Sequence, residues 1–438
     1  MKNNKYAIIY PGDTMTINEE YKILITGYTS DGHGVGRLDN FVVFVPGVIK
    51  GEEGLIKINT IKKNYATGSL VKLIKQSDKR IESKCIYSSE CGGCSYQHLL
   101  YSEELEIKQE TVINAFKKIA GVNIELDNII KSPLENYRNK ITYKTNESNN
   151  ELSFGYYKEN SNNFINIDKC IINTQLSNRV ITKLRELLKK ENQNIKELII
   201  RSSNKENQIV IYLKCRNDLN SSFIELLTKE FPEIKGIVIK VNDEDKTIYG
   251  TNYIEDKIGS ISYKININSF FQVNRFLTET LYQTAILNFL KKTDILLDAY
   301  CGSGAISLYA ADKVKKVYGI EINKSSINDA IENAKLNKIT NTEFILGDVT
   351  LKIKEIPEKI DALIVDPPRN GLDKKFINII TNKKIEKIIY ISCNPSTLAR
   401  DVKIFLEKGY EIKVVKAIDM FPRTKHVETI CKLKLKTK

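Results

Sequence analysis

The side chains with most chemical potential in this chain lie late in it. Cys393 closes the run KIIYISC and is followed at once by Asn394 and Pro395. A cysteine there is either packed and inert at the end of a strand or a thiol at a sheet edge, where its thiolate can attack carbon. Upstream, Asp366 stands in VDPPRNGL, with two prolines fixing the path of the chain behind it. Gly302 and Gly304 in DAYCGSG permit a tight turn and close approach of backbone to a ligand. Glu321 in GIEIN follows at the distance at which an acidic residue reaches ribose hydroxyls, and Asp348 in LGDV is placed for the adenine side. His426 and Glu428 flank Val427 in FPRTKHVE; both can move protons, and on a strand they would share one face. A separate group, Cys85, Cys91 and Cys94 in CIYSSECGGC with Cys170 in IDKCII, has spacings at which thiolates converge on a metal centre. Sulfur ligation of that kind suits zinc or an iron–sulfur cluster, and spacing does not choose between them.

The elements that must position these residues follow from hydrophobic period. After about residue 275 strand and helix patterns alternate, as in a doubly wound parallel sheet, and the last two strands, YEIKVVKAIDMF and HVETICKLKLK, have no helix between them. An antiparallel hairpin at the sheet edge fits that ending. The glycine turn, Glu321, Asp366 and Cys393 each end a strand, so one edge of the sheet, where ligands of open α/β folds bind, would hold them all. The first 75 residues read as short strands with glycine turns, a small closed barrel, with Gly32, Gly34 and Gly36 marking a loop. Lys57, Lys62, Lys63, Lys72 and Lys75 there are candidates for a nucleic-acid surface. Residues 101–121 have a helical period, and 125–262 read as strands interrupted by one helix near 174–190.

A chain of 438 residues implies two or three domains, and 42% hydrophobic residues suffice for real cores. The net charge of +13 favours a polyanionic partner such as nucleic acid. No apolar run is long enough to span a bilayer, and the first residues, MKNNKYAIIYPGD, lack a signal-peptide core. A cytoplasmic protein is expected. Nothing marks a coiled coil or an obligate protein partner, so a monomer is expected as well.

FFQVN, DAYCGSG, GIEIN, VDPPRNGL, SCNPSTLARD and FPRTKHVE, in that order, resemble the class I RNA (uracil-5-)-methyltransferase family, and the likeness runs over essentially the whole chain. The resemblance implies an N-terminal OB-fold (TRAM) barrel at 1–75 and a central α+β domain at 76–262 that carries an iron–sulfur site and binds RNA. A Rossmann-like S-adenosylmethionine-dependent methyltransferase domain would follow at 263–438, with the helix of 101–121 a candidate to pack on it. It further implies that Cys393 adds to C6 of a uracil, making an enolate with electron density at C5, and that Glu428 takes the C5 proton after methyl transfer. Gln272, Tyr300, Glu321 and Asp366 match cofactor-site positions, with Asp366 also near the uracil ring, beside Gly302, Gly304 and Asp348. Cys85, Cys91, Cys94 and Cys170 match the ligands of a [4Fe–4S] cluster, and the cofactor is S-adenosyl-L-methionine. The pairing of the barrel with four cysteines is similar to the branch that methylates 23S ribosomal RNA. Its rivals are a tRNA methyltransferase of the same family, an RNA-binding protein with a dead catalytic domain, and, more remote, a dehydrogenase.

Overall fold

The computed structural model describes residues 15–437 apart from 149–150, 160, 190–194, 218 and 220–221. The stretch weighed above as a leader lies outside the described residues. The chain packs as two compact units, one comprising residues 1–111 with Arg423–Lys425, the other Val112–Pro422 with His426–Lys438.

The first unit holds five strands: β1 (Glu20–Tyr28), β2 (Gly34–Leu38), β3 (Phe41–Val45), β4 (Glu53–Ile61) and β5 (Tyr65–Lys75). They close into a barrel in the order β1-β2-β3-β5-β4. Alternation does the work: Tyr21, Ile23 and Ile25 on β1 point inward with Val43, Val45, Ile56, Ile58 and Ala66, each fully buried Ile or Val contributing about 2 kcal/mol. Gly34 and Gly36 lie within β2, not in a loop as expected. A Cβ on Gly34 would sit 2.4 Å from Val48 Cγ2, and one on Gly36 2.2 Å from Ile23 Cγ2, so these glycines admit neighbouring side chains to the barrel interior. Lys62, Lys63, Lys72 and Lys75 are exposed on the barrel and Lys57 is half-buried.

The second unit contains two large sheets. In the first, β6 (Lys140–Ser148), β7 (Glu151–Tyr157), β8 (Phe164–Asn166), β9 (Ile195–Ser202), β10 (Ile209–Cys215), β11 (Ile234–Val241) and β12 (Glu244–Gly250) run in the order β12-β11-β10-β9-β6-β7-β8. Two helices accompany it, Gln175–Lys189 and Ser222–Glu230, where one was expected. The nine-residue SFIELLTKE has too few apolar repeats to stand out from neighbouring strand patterns. A hairpin of β13 (Tyr253–Ile258) and β14 (Ile261–Asn266) leads onward.

The remaining strands are β15 (Ile295–Ala299), β16 (Lys316–Glu321), β17 (Thr342–Leu346), β18 (Ala362–Val365), β19 (Lys387–Ser392), β20 (Tyr410–Ile418) and β21 (Glu428–Leu435), in the order β17-β16-β15-β18-β19-β21-β20. The first five are parallel, and β18 and β19 are buried along their whole length, which is why they read as unbroken apolar runs. The C-terminal pair is antiparallel, as expected, with β21 inserted between β19 and β20. The carboxyl ends of β15 to β19 therefore meet the start of β21 along one edge. The α/β sheet and the N-terminal five-stranded barrel fulfil the expected fold class.

Candidate active site

Beyond β15 the backbone turns left-handed: φ is +68° at Tyr300, +54° at Gly302 and +77° at Gly304. At Gly304 a Cβ would also stand 3.0 Å from Ala330 Cβ and the Phe344 ring, so nothing larger than glycine fits. At Gly302 it would meet nothing within 4 Å, which leaves room for a ligand against the turn. Glu321, at the end of β16, anchors this turn: its Oε2 accepts from Gly302 N–H at 3.2 Å and its Oε1 from Asn323 N–H at 2.8 Å. Asp348, beyond β17, is exposed and caps the helix Val349–Lys352 by accepting from Thr350 N–H at 2.8 Å; a hydrogen bond from the Thr350 hydroxyl, with the backbone one, holds its carboxyl below the ordinary range. Tyr300 packs edge-on to Phe376, and burial lifts its phenol to about 12. An open glycine turn with carboxylates at the next two strand ends suits a nucleoside-bearing cofactor.

A few ångströms of sequence register explain the other half of the edge. Ser392 pairs with Thr429 in the antiparallel β19–β21 ladder. One step beyond that last pair come Cys393 on one strand and Glu428 on the other, near enough for the Glu428 charge to act on the thiol. Cys393 is half-buried; burial and the nearby Glu428 raise its thiol pKa, Arg369 lowers it, and Asp366 raises it. Glu428 is 3% exposed, and its Oε1 is buried with no hydrogen-bond partner among the described residues. Burial, with Asp366 adding to it, keeps the Glu428 carboxyl protonated well above the ordinary range. Asp366 itself is pushed up to about 7 by burial, opposed by a hydrogen bond donated from Gln272 Nε2 at 3.3 Å. Gln272, Asp366, Cys393 and Glu428 are thus one constellation of nucleophile, carboxyls and amide. His426 is not on its strand face: β21 begins at Glu428, and His426 Nε2 is instead 3.0 Å from Arg369 Nη2.

The four early cysteines are placed differently. Cys85, Cys91 and Cys94 belong to the first unit and Cys170 to the second. All four are half-buried and outside any disulfide among the described residues; Gly93 N–H donates to Cys91 Sγ at 3.4 Å and Gln97 Nε2 to Cys94 Sγ at 3.6 Å. Thiols are suitable chemistry for a metal–sulfur group, but no three His, Cys, Asp or Glu side chains among the described residues converge to hold a metal ion. The expected centre is not a preformed cage in this structure.

Three residues of this region were not singled out by residue type and spacing. Asn274 in FFQVN is wholly buried; its Nδ2 donates to Ser132 Oγ at 2.8 Å and to the Met420 carbonyl at 3.0 Å, fixing the segment that carries Gln272. Asp401 accepts at Oδ2 from Leu372 N–H and Tyr390 Oη, each at 2.8 Å, tying the VDPPRNGL loop to β19. Arg369, exposed beyond the two prolines, lies through Nη2 3.0 Å from His426 Nε2. The signal available for all three was their place inside the six ordered segments.

A doubly wound sheet with an open glycine turn and carboxylates at the adjoining strand ends is an architecture that takes a nucleoside-bearing cofactor. Comparison with known proteins agrees. Residues 100–436 match the tRNA (Uracil-5-)-methyltransferase family and residues 15–71 the TRAM domain. An uncharacterized RNA methyltransferase of Clostridium acetobutylicum is 36% identical over 95% of this chain and 97% of its own length. Another, of Oceanobacillus iheyensis, is 37% identical over 96% and 97% respectively. Among solved structures, the Pyrococcus abyssi tRNA (uracil-54, C5)-methyltransferase in complex with S-adenosyl-L-homocysteine superposes with a TM-score of 0.76 at 26% identity, covering 94% of this chain and 99% of that one. The chain belongs to the tRNA (uracil-5-)-methyltransferase family, and its activity is S-adenosylmethionine-dependent methylation of RNA at C5 of uracil.

Proposed function

We propose that the protein methylates C5 of a specific uridine in 23S ribosomal RNA, with Cys393 as nucleophile and Glu428 as the base that removes the C5 proton. The observation carrying the chemical part is the juxtaposition of Cys393 with Glu428, whose Oε1 is buried and unpartnered at a sheet edge shared with the glycine turn. C5 of uracil is too poor a nucleophile to take a methyl group unaided. Addition of the Cys393 thiolate to C6 moves electron density to C5, and Asp366, which accepts from Gln272 Nε2, would lie near the ring. The cofactor supplies an electrophilic methyl group. Glu428 then accepts the C5 proton and the sulfur departs, re-forming the C5–C6 double bond. Gln272, Tyr300, Gly302, Gly304, Glu321, Asp348 and Asp366 would hold the cofactor, with Glu321 on its ribose.

The division of labour proposed follows three segments: 1–75 and 76–262 hold RNA, and 263–438 does the chemistry, in a cytoplasmic monomer. Attack at C6 needs an open base face, so a loop or locally opened RNA is the form of substrate. Ribosomal RNA is favoured by the TRAM barrel together with the four cysteines. Transfer RNA is a second reading, favoured by the activity named for the Pyrococcus abyssi protein. Mapping 5-methyluridine by mass spectrometry in ribosomal and transfer RNA, from cells with and without the gene, separates them: loss from 23S RNA alone is expected, and loss from tRNA alone would replace the substrate.

The [4Fe–4S] cluster belongs to the same proposal, on Cys85, Cys91, Cys94 and Cys170, in a structural or RNA-binding role. Protein purified without oxygen should carry about four iron and four sulfide per chain; zinc without iron would remove the cluster. Glu321→Gln should weaken S-adenosylmethionine binding by about 2 kcal/mol, roughly 30-fold in Kd, through a lost charge-assisted hydrogen bond, and leave RNA binding nearly intact. Unchanged cofactor affinity by calorimetric titration would take Glu321 off the ribose.

A further inference from the structure

Arg201, near the end of β9, is 1% exposed. Burial weighs against its charge, and the acidic group that opposes this is Asp256. Backbone amides already occupy that carboxylate: Oδ2 accepts from Asn204 N–H at 2.7 Å and Oδ1 from Lys257 N–H at 2.9 Å. A second cation, Lys140 on β6, stands across the ladder from Arg201, and burial, with Arg201 adding to it, pushes its ammonium down to about 7. Arg201 Nε and Nη1 are buried with no hydrogen-bond partner among the described residues. Buried polar groups in this state cost stability, and an apolar side chain of similar volume is often the more stable occupant. What the guanidinium does reach is one backbone oxygen. Its Nη2 donates to the Ser269 carbonyl at 2.8 Å, and Lys140 Nζ donates to the same oxygen at 3.4 Å. The Ser269 hydroxyl in turn donates to Asp329 Oδ2, on the helix Lys324–Leu336. Further along, the Val273 carbonyl accepts from Asn139 N–H at 2.9 Å. Gln272 lies between these two fixed carbonyls, buried, with its Nε2 on Asp366.

We propose that Arg201 is a positioning residue of this methylation: with Lys140 it holds the Ser269 carbonyl, and so fixes the backbone that presents Gln272 to Asp366. This rests on the reading of Gln272 as part of the site. The surroundings of Arg201 favour an apolar residue. Its cross-strand partner Val210 lies in the hydrophobic core, and Ile199, two residues back on the same face, packs against that core. A sequence that breaks a local rule at one point, where the neighbours keep it, does so where function needs it. The need here is accuracy. The bond from a guanidinium to a carbonyl is charge-assisted and stronger than a neutral one, and a carbonyl so held leaves the next three residues little freedom. Displacement of an active-site group by one ångström costs up to about 100-fold in rate.

The test measures stability and catalysis on the same variants of the full chain. Arg201→Met should unfold at the wild-type temperature or above it, because a buried charge with unmet donors is gone. Its single-turnover methyl transfer, from labelled S-adenosylmethionine to total RNA of cells without the gene, should fall roughly 30-fold. Arg201→Lys, which keeps the charge and a donor, should fall less. In a Gln272→Ala background, adding Arg201→Met should change the rate by less than about threefold, since the side chain it positions is absent. Wild-type methylation by Arg201→Met would overturn the proposal. So would activity lost in step with a lowered unfolding temperature, a variant that does not fold included, because the arginine would then be holding the fold. A second fall of similar size in the Gln272→Ala background would show that Arg201 acts elsewhere. If Gln272→Ala alone methylated as wild type does, the reading of Gln272 would fail, and this proposal with it.

Discussion

Cys393→Ala should bind RNA and S-adenosylmethionine, form no covalent complex with RNA, and yield no 5-methyluridine. Methyl transfer to C5 without prior addition at C6 has no electron density to draw on, so the expected fall in rate is on the order of 10^5-fold, about 7 kcal/mol of barrier. The alternative reading of this cysteine, a packed strand end, predicts lost stability and an intact activity per folded molecule. The residue is only half-buried, and the methyl-sized Ala side chain leaves β19 and its neighbours in place, so the two readings separate cleanly. A slow-migrating protein–RNA band from Cys393→Ala on a denaturing gel would show that another side chain attacks the ring.

Glu428→Gln should fail later. The thiolate cannot be expelled until the C5 proton has gone, so this variant should accumulate RNA that is both methylated and joined to the protein, with turnover lower by roughly 10^3-fold. In a turnover assay it would look as dead as Cys393→Ala, and only the mass of the adduct tells them apart. The wild-type enzyme carries a pH signature of the same group. Burial and Asp366 hold the Glu428 carboxyl protonated to higher pH than an ordinary glutamate, and the proton acceptor is the ionised form. Resolution of the adduct should therefore accelerate with rising pH along a limb above the ordinary carboxylate range. A flat profile, or an adduct accumulating in His426→Gln and not in Glu428→Gln, would move the base to His426.

What could be read from the sequence and what could not divide along a physical line. The glycine turn, Glu321, Asp366 and Cys393 were legible as one edge because parallel strands separated by helices all end on the same side. Whether Cys393 faces Glu428 was not, since that depends on β21 entering between β19 and β20 in antiparallel register, a long-range pairing that no local period encodes. His426 and Glu428 read alike from their spacing, yet the strand begins two residues too late for them to share a face. Gly34 and Gly36 read as a loop because glycine is the usual sign of a turn, whereas here it marks close approach inside a barrel. Cysteine spacing advertised a metal centre and is silent about whether the sulfurs meet.

Asp401 binds two segments of sequence into one heritable unit. Its carboxylate holds Leu372 N–H and the Tyr390 hydroxyl, and its own helix presses on Gly371. A substitution in VDPPRNGL that lengthens the loop or adds a Cβ at Gly371 cannot be tolerated alone, and neither can a shorter or longer side chain at position 401. Across descendants of this chain the two segments should therefore change together or not at all, while the solvent-facing Asn370 between them drifts at its own rate.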